Sequence, residues 1–415
     1  MLKETKKSGL YWLYIGATTL VLVVLVVVYH VAENGKTPVV SSPTLDRPGS
    51  RAAPTLQFVA VFSRHGNRAP IFSYPTSEFQ KDDTKVWPHG AGQLTTIGRV
   101  QMYKLGEKFR SLYNGFLSEL YRPGDVVTYS THFDRCFESA QLILAGLFPP
   151  QGFQVWNSQL LWQPIPVLYT ERDHVMIVLS KETRYCSKFH KEKKKSLARY
   201  ERDFGYNLTR MLEYALPFTS HDAGNTKLNT SIVSMWADTY TLWESLVNPE
   251  MEGFQLPAWA SKIYPQPITS LIMETFRAGI DGSDTMLRLM AGQLFQEIMG
   301  LMEARLEDKA SAAKRLYIYN GHDFTMVGLQ RILGLKEFCH WVVEPSSAVI
   351  VELHTDTVTG RSYVQLLYID GVSKDLEPVE LDIPGCDSPC DFHQLINITN
   401  KYYNITDWEK ECENY

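Results

Sequence analysis

Apolar and polar positions fall into blocks along this chain that predict strands followed by helices. Leu56-Gln57-Phe58-Val59-Ala60-Val61-Phe62 is a short, nearly continuous apolar run, the pattern of a strand buried on both faces in a parallel sheet. It ends at Ser63-Arg64-His65-Gly66. From Thr95 to Leu112, apolar residues recur at Ile97, Val100, Tyr103, Leu105 and Phe109. That is roughly helical spacing, with Thr95 placed to cap the first turn. Asp125–Ser130 reads as a second strand, and Thr131–Leu147 as a helix with Phe137, Ala140 and Leu144 on one face. Arg315–Asn320 is strand-like again and runs into Gly321-His322-Asp323. A helix from Thr325 to Leu333 stops at Gly334, the residue type expected just past a helix end. Ser347–Leu353 and Tyr363–Ile369 are expected as later strands. The segment 156–310 turns helical and polar and reads as a separate helical cap region, inserted into a core formed by 55–155 and 311–415. Alternation of strand and helix around such an insertion predicts an α/β fold, its sheet largely parallel and flanked by helices.

The front of the chain follows a different pattern. Leu10 to Tyr29 is a run of 20 residues without a charge, and a helix of that length spans about 30 Å, the thickness of the hydrocarbon core. Lys3, Lys6 and Lys7 precede it, whereas Glu33 and Lys36 nearly cancel after it. The positive-inside rule then makes 1–9 a cytosolic tail, 10–30 a transmembrane signal anchor and 31–54 a stalk carrying Pro38, Pro43, Pro48 and Pro54. A cleaved signal peptide is the rival reading. Its apolar region is normally shorter and ends in a small-x-small site, which Val26–Ala32 lacks. The expected topology is a single-pass type II membrane protein with a lumenal (lysosomal or endosomal) or extracellular ectodomain.

Composition sharpens this picture. Against 41 basic residues stand 46 acidic ones, a net charge of -5, without the clustered basic surface that a nucleic-acid partner needs. Four N-x-S/T sequons, at Asn207, Asn229, Asn397 and Asn404, fall on the expected lumenal side. The six cysteines are Cys136, Cys186, Cys339, Cys386, Cys390 and Cys412, and an even number in an oxidising compartment suggests disulfides. Cys386-Asp-Ser-Pro-Cys390 is short enough for a small disulfide loop. With His393 nearby, a zinc knuckle is the alternative, although only three such ligands are visible and structural zinc usually takes four.

Three expected strand ends carry residues suited to the same chemistry, namely Arg64 with His65 and Arg68, Asp134 with Arg135, and His322 with Asp323. In open α/β sheets ligands bind beyond the carboxyl ends of the strands. Hydrolysis of a phosphate monoester needs positioned cations, an in-line nucleophile and a proton for the leaving alcohol. Arginines stay charged at any working pH and bond two phosphate oxygens in a fork. An imidazole can take the phosphoryl group as a phosphohistidine, so that one hard displacement becomes two. His65 is the candidate nucleophile and Asp323 the candidate general acid. Arg64, Arg68, Arg135 and His322 are the candidate phosphate ligands.

Arg64-His65-Gly66-Asn67-Arg68-Ala69-Pro70 after a buried strand, with a distant His322-Asp323 after another, resembles the histidine acid phosphatases. The likeness continues through Trp87–Thr95, Ser130–Arg135, Leu147–Pro150, Leu161–Pro166 and Leu381–Cys386, and covers nearly all of residues 55–412. It is strongest to the animal acid phosphatases of the prostatic and lysosomal type. The resemblance implies a phosphoglycerate-mutase-like fold and acid phosphatase activity on small-molecule phosphate monoesters. It implies the same six site roles, no metal or other cofactor, pairing of Cys386 with Cys390 and of Cys186 with Cys412, and relatives that are often dimers. Asn67 and His132 stand where Asp is common in the family. Cys136 and Cys339 match no pair known from it.

Taken alone, several of these signals are weak. His322-Asp323 by itself reads as a surface pair, and Arg135 as a helix-surface residue beside a carboxylate. His89, His174, His221 and His340 read as structural or exposed. A phosphatase specialised for lysophosphatidic acid or inositol polyphosphates is the alternative enzyme, and a catalytically silent ectodomain for adhesion or ligand binding the alternative outside catalysis. Every residue that a silent ectodomain is expected to have lost is present. A metal-dependent hydrolase lacks a dense cluster of His, Asp and Glu. Proton donation by Asp323 predicts activity that falls as pH rises.

Overall fold

A computed structural model describes residues 50–169, 186–220, 232–307, 314–335 and 343–413. The expected cytosolic tail, membrane anchor and most of the stalk, with His174, His221, Asn229, Cys339 and His340, lie outside the described residues. Among the described residues no helix is long and apolar enough to cross a membrane.

An eight-stranded sheet forms the centre, with order β3-β2-β4-β1-β5-β6-β7 and β8 paired to β6. β1 (Leu56–Arg64) is buried at every position but Gln57, because it lies mid-sheet and is covered on both faces. β2 (Val126–Ser130), β3 (Leu168–Tyr169) and β4 (Leu316–Gly321) run parallel to it. β5 (Ala348–Thr355) returns antiparallel to β1, and β6 (Ser362–Ile369) closes a hairpin with β5. β7 (Val379–Leu381) and β8 (Cys390–Asp391) extend this antiparallel wing. The sheet is therefore mixed, and its parallel half is the part that matters for the site. There the register aligns Arg64 with Gly321 and Asn320 with Ser130. Three strands thus end level along one edge.

Successive side chains of a strand point to opposite faces, and β1 supplies both apolar layers in this way. Val59 and Val61 join the layer under α1 (Thr96–Leu112) and α2 (Asp134–Leu147). Phe58, Ala60 and Phe62 join the other layer. That second layer is continuous with α3 (Ser187–Thr219), α4 (Ile232–Met251), α5 (Ile268–Ile280) and α6 (Asp284–Glu307). Phe295, Ile298 and Met302 of α6 face Phe62, Val349 and Val351 of the sheet. The helical region is thus no separate body. Its apolar residues complete the core of the sheet.

Several local expectations shift. α2 begins at Asp134, so Thr131–Phe133 form a connecting segment instead of its first turn. On α1, Thr95 caps the helix by accepting from the Gly98 N–H. The buried stripe, however, runs through Gly98, Met102, Leu105, Gly106, Phe109 and Leu112. Ile97, Val100 and Tyr103 are 40–48% exposed. The cause is a backbone-to-backbone contact between helices: a Cβ on Gly106 would lie 2.2 Å from the Ile143 carbonyl oxygen, and one on Gly146 2.3 Å from that of Tyr103. Glycines carry no apolar weight, so an apolar count places the stripe on the wrong side.

The stalk also ends earlier than expected. Arg51 pairs with the fully buried Glu352 (2.7 Å), whose other oxygen accepts from the Tyr113 hydroxyl at 2.8 Å. Ser50–Pro54 therefore belong to the folded body. Cys386 bonds to Cys390, which excludes a zinc knuckle there, and Cys186 bonds to Cys412, joining the start of α3 to the short helix Trp408–Glu413. Cys136 is free and buried.

The helix contact predicts a specific sensitivity. Gly106→Ala should lower the unfolding free energy by about 1–3 kcal/mol, as overpacking generally does. At the helical Gly300 nothing lies within 4 Å of an added Cβ, and Gly300→Ala should be neutral or stabilising. Chemical denaturation of the two variants checks this. Equal midpoints would remove the contact from the account of α1–α2 packing.

Candidate active site

The Arg64–Pro70 loop leaves β1 at the level where β2 and β4 also end, and backbone contacts hold it there. The His65 N–H donates to the Gly321 carbonyl at 3.0 Å, and the His65 carbonyl accepts from the Ser346 N–H at 3.1 Å. Gly66 and Gly98 meet backbone to backbone: a Cβ on Gly66 would lie 2.3 Å from the Gly98 oxygen, and one on Gly98 2.0 Å from the Asn67 oxygen. The Gly66 N–H donates to Ser139 Oγ of α2 at 3.3 Å, and the Asn67 N–H to Gln101 Oε1 of α1 at 2.9 Å. Gln93 and Thr95 return along the loop, accepting from the Ala69 N–H and donating to the Asn67 carbonyl. The Trp87–Thr95 segment is thereby a brace for the loop.

The side chains converge from three strand ends. His65 is buried, and its Nδ1–H donates to the Gly66 carbonyl at 2.8 Å. A carbonyl can only accept, so this bond fixes the proton on Nδ1 and leaves the Nε2 lone pair free. Burial, followed by the charges of Arg135 and Arg64, holds its pKa well below the usual histidine value. The His322 ring stands edge-on to it, 5.5 Å between centroids. His322 Nε2 lies 3.1 Å from Thr131 Oγ1, and burial and the same arginines depress its pKa too. Cys136 sits behind it, with Sγ 3.8 Å from Nε2. Burial raises that thiol to about 11, so it is a neutral packing group.

Three guanidinium groups surround the two imidazoles. Arg64 donates through Nη1 to the Val343 carbonyl at 2.5 Å, while its Nη2 lies 3.5 Å from Asp323 Oδ2. Arg68 donates to the Ala69 carbonyl (2.9 Å) and to Glu244 Oε1 (2.5 Å). Arg135, in the first turn of α2, lies over the Phe133 ring with 4.5 Å from Cζ to the centroid. It has no carboxylate partner among the described residues, and burial, with Arg68 next, lowers its pKa. The Nε atoms of all three arginines are buried without a hydrogen-bond partner. Buried donors are almost always satisfied, so three orphans on arginines gathered around two imidazoles suit an oxyanion. Asp323 opens α7 (Asp323–Ile332), its Oδ1 accepting from the Phe324 N–H at 2.9 Å. Its side chain is 17% exposed, which gives it access to solvent at the edge of the group.

All six residues singled out in the sequence come together here. His132 does not join them: it is exposed, and its ring stands edge-on to Tyr169 at 5.4 Å. Asn67 points instead to Glu252, donating from Nδ2 to Oε1 at 2.5 Å. An Asp there would set two carboxylates against each other. Glu244 of α4 is the residue that motif reading missed. It is fully buried, holds Arg68 with Oε1, and accepts from the Ile71 and Phe72 N–H groups at 3.0 and 2.7 Å with Oε2. A glutamate inside the apolar run Leu242-Trp243-Glu244-Ser245-Leu246 was the available signal, because a buried carboxylate demands a partner.

Among the described residues no cluster of His, Cys, Asp and Glu is arranged to hold a metal ion. Residues 55–369 match the histidine phosphatase superfamily (branch 2). The chain is 31% identical to the human (Homo sapiens) lysosomal acid phosphatase over 371 residues, covering 88% of this chain and 82% of that one. It is 31% identical to the mouse (Mus musculus) prostatic acid phosphatase over 366 residues, covering 87% and 90%. The fold is similar to that of the Citrobacter braakii phytase, with a TM-score of 0.63 and 18% identity over 86% of this chain and 98% of that one. Motif, cradle and extent of match agree, and the chain belongs to the histidine phosphatase superfamily, branch 2.

Proposed function

We propose that this chain is an acid phosphatase that hydrolyses phosphate monoesters through a phosphohistidine on His65. The observation that carries the reading is the state of that imidazole, with its proton tied to the Gly66 carbonyl and its free Nε2 among three guanidinium groups. An ordinary histidine, with a pKa near 6.5, would be protonated and inert in acid. Burial among cations keeps this one neutral, hence nucleophilic, where the ester is also readily bound.

His65 Nε2 attacks phosphorus in line, and the phosphorus–oxygen bond to the alcohol breaks. Asp323 gives its proton to the departing oxygen. Arg64, Arg68, Arg135 and His322 donate to the peripheral oxygens as charge develops on them. Water then attacks the phosphohistidine and loses its proton to Asp323. Phosphate leaves, and the imidazole returns neutral. The carboxylate ends each cycle protonated, as it began.

The setting is part of the same reading. The charge-free Leu10–Tyr29 span, led by three lysines, anchors the chain as a type II membrane protein. The phosphatase body then lies in a lumenal or extracellular space. Two disulfides in the body suit an oxidising compartment, as do relatives named lysosomal and prostatic. Carbonate extraction with protease protection of the full chain in microsomes tests this. Release by carbonate alone would exclude the anchor.

His65→Ala should lower turnover by on the order of 10⁴-fold or more, since a nucleophile and not merely binding is lost. Acid quenching during turnover of a ³²P-labelled ester should trap a phosphoenzyme in the wild type and none in this variant. Full turnover without His65 would overturn the mechanism. Asp323→Asn should make kcat depend steeply on leaving-group acidity, while the wild type shows a shallow dependence. Arg135→Gln removes the largest charge opposing protonation of His65, so the acidic limb of kcat/KM should move to higher pH. An unmoved limb would take Arg135 out of the tuning of His65. Glu244→Gln should raise KM for the ester, because Arg68 loses the carboxylate that aims it. Saturation kinetics at constant pH read this shift.

A further inference from the structure

The cradle accounts for the phosphoryl group and leaves the alcohol open, and the residues around its mouth bear on that question. Phe133 touches two phosphate ligands, with its ring edge-on to His322 at 5.2 Å and its face under Arg135. It is nevertheless 39% exposed, so it stands where the cradle opens to solvent. Phe72 is 46% exposed, and its backbone N–H is held by Glu244, the carboxylate that aims Arg68. One exposed ring therefore adjoins Arg135, and the other meets Tyr240, whose hydroxyl donates to Glu244 Oε1 at 3.4 Å beside Arg68.

Phe72 also begins an aromatic wall. Its ring meets Tyr240 at 6.1 Å, Tyr240 meets Phe276 at 5.8 Å, and Phe276 meets Phe324 at 5.1 Å. Phe324 directly follows Asp323, the proton donor. Of these four rings Phe72 is the exposed one, and Phe276 and Phe324 belong to the apolar core behind it. Arg68 is paired with the buried Glu244, and Arg135 has no carboxylate partner among the described residues.

Resting on the proposed reaction, we infer that Phe72 and Phe133 are specificity-determining residues that select esters whose leaving alcohol carries an aromatic ring. Exposed rings lose little conformational entropy on stacking and present a flat apolar face beside a polar centre. A polyhydroxylated or multiply phosphorylated alcohol would bring polar groups against these rings and leave them unpaired.

The full-length chain in detergent, assayed with benzyl phosphate, glycerol 2-phosphate and inositol hexakisphosphate, tests this. Benzyl alcohol and glycerol are both aliphatic leaving groups, so ring recognition is separated from intrinsic reactivity. The wild type should favour benzyl phosphate over glycerol 2-phosphate in kcat/KM by about tenfold or more, and Phe72→Ala and Phe133→Ala should each cut that ratio by about threefold to tenfold. Phe72→Trp and Phe133→Trp should retain it. Both sites are exposed enough for these changes to leave folding intact, which circular dichroism checks. A wild-type ratio near one, preference for inositol hexakisphosphate, or a ratio unmoved in both alanine variants would overturn the assignment. No hydrolysis of any ester by the wild type would instead overturn the phosphatase reading beneath it.

Discussion

Three guanidinium groups of like charge are gathered in one largely buried pocket, and much of the architecture serves to make that tolerable. A buried charge is costly unless paired or hydrogen-bonded. Arg68 is offset by Glu244, Arg64 donates to the Val343 carbonyl, and Arg135 lies over the Phe133 ring. What remains is an excess of positive charge with three unpartnered Nε donors. In the proposed reaction a phosphoryl group supplies the missing acceptors. Burial, and then the same field, lower the pKa of both imidazoles, so the proposed nucleophile and its cradle arise from one arrangement.

That requirement explains why the helical layer is part of the body. Glu244 reaches Arg68 because α4, packed against α3 and α5, belongs to the same continuous apolar layer as Phe62 and Tyr319 of the sheet. On the opposite face, α1 and α2 approach each other and the Arg64–Pro70 loop through glycines, at distances that no side chain permits. The backbone of the loop is gripped at once by the Gly321 carbonyl of β4 and by the Gln101 and Ser139 side chains of α1 and α2. Rigid placement of this kind is what orientation of a nucleophile demands.

Much of this was legible in the sequence. The parallel half of the sheet showed as short apolar runs, because strands covered on both faces must be apolar at nearly every position. The six site residues showed because phosphate chemistry restricts residue type, and because strand ends are marked by the change from apolar to polar. Other features were hidden. Glycine contacts leave no apolar signature, and the buried face of α1 was therefore misplaced. Arg51 looked like part of a stalk, since nothing nearby in the chain announces Glu352, 301 positions away. The antiparallel wing was not distinguished from the parallel half, because strand direction leaves little trace in a buried run.

By itself the sequence determined which groups are suited to bind a phosphoryl group, accept it and return a proton, and that a membrane-length apolar run precedes them. Only the tertiary structure decided their state. The His65 tautomer depends on a carbonyl that its own loop turns inward, and its neutrality on arginines brought from two strand ends. Glu244 and the rings of Tyr240, Phe276 and Phe324 come from helices far along the chain. Residue type is a local property, whereas protonation, orientation and the shape offered to a leaving group depend on what lies within a few ångströms in space.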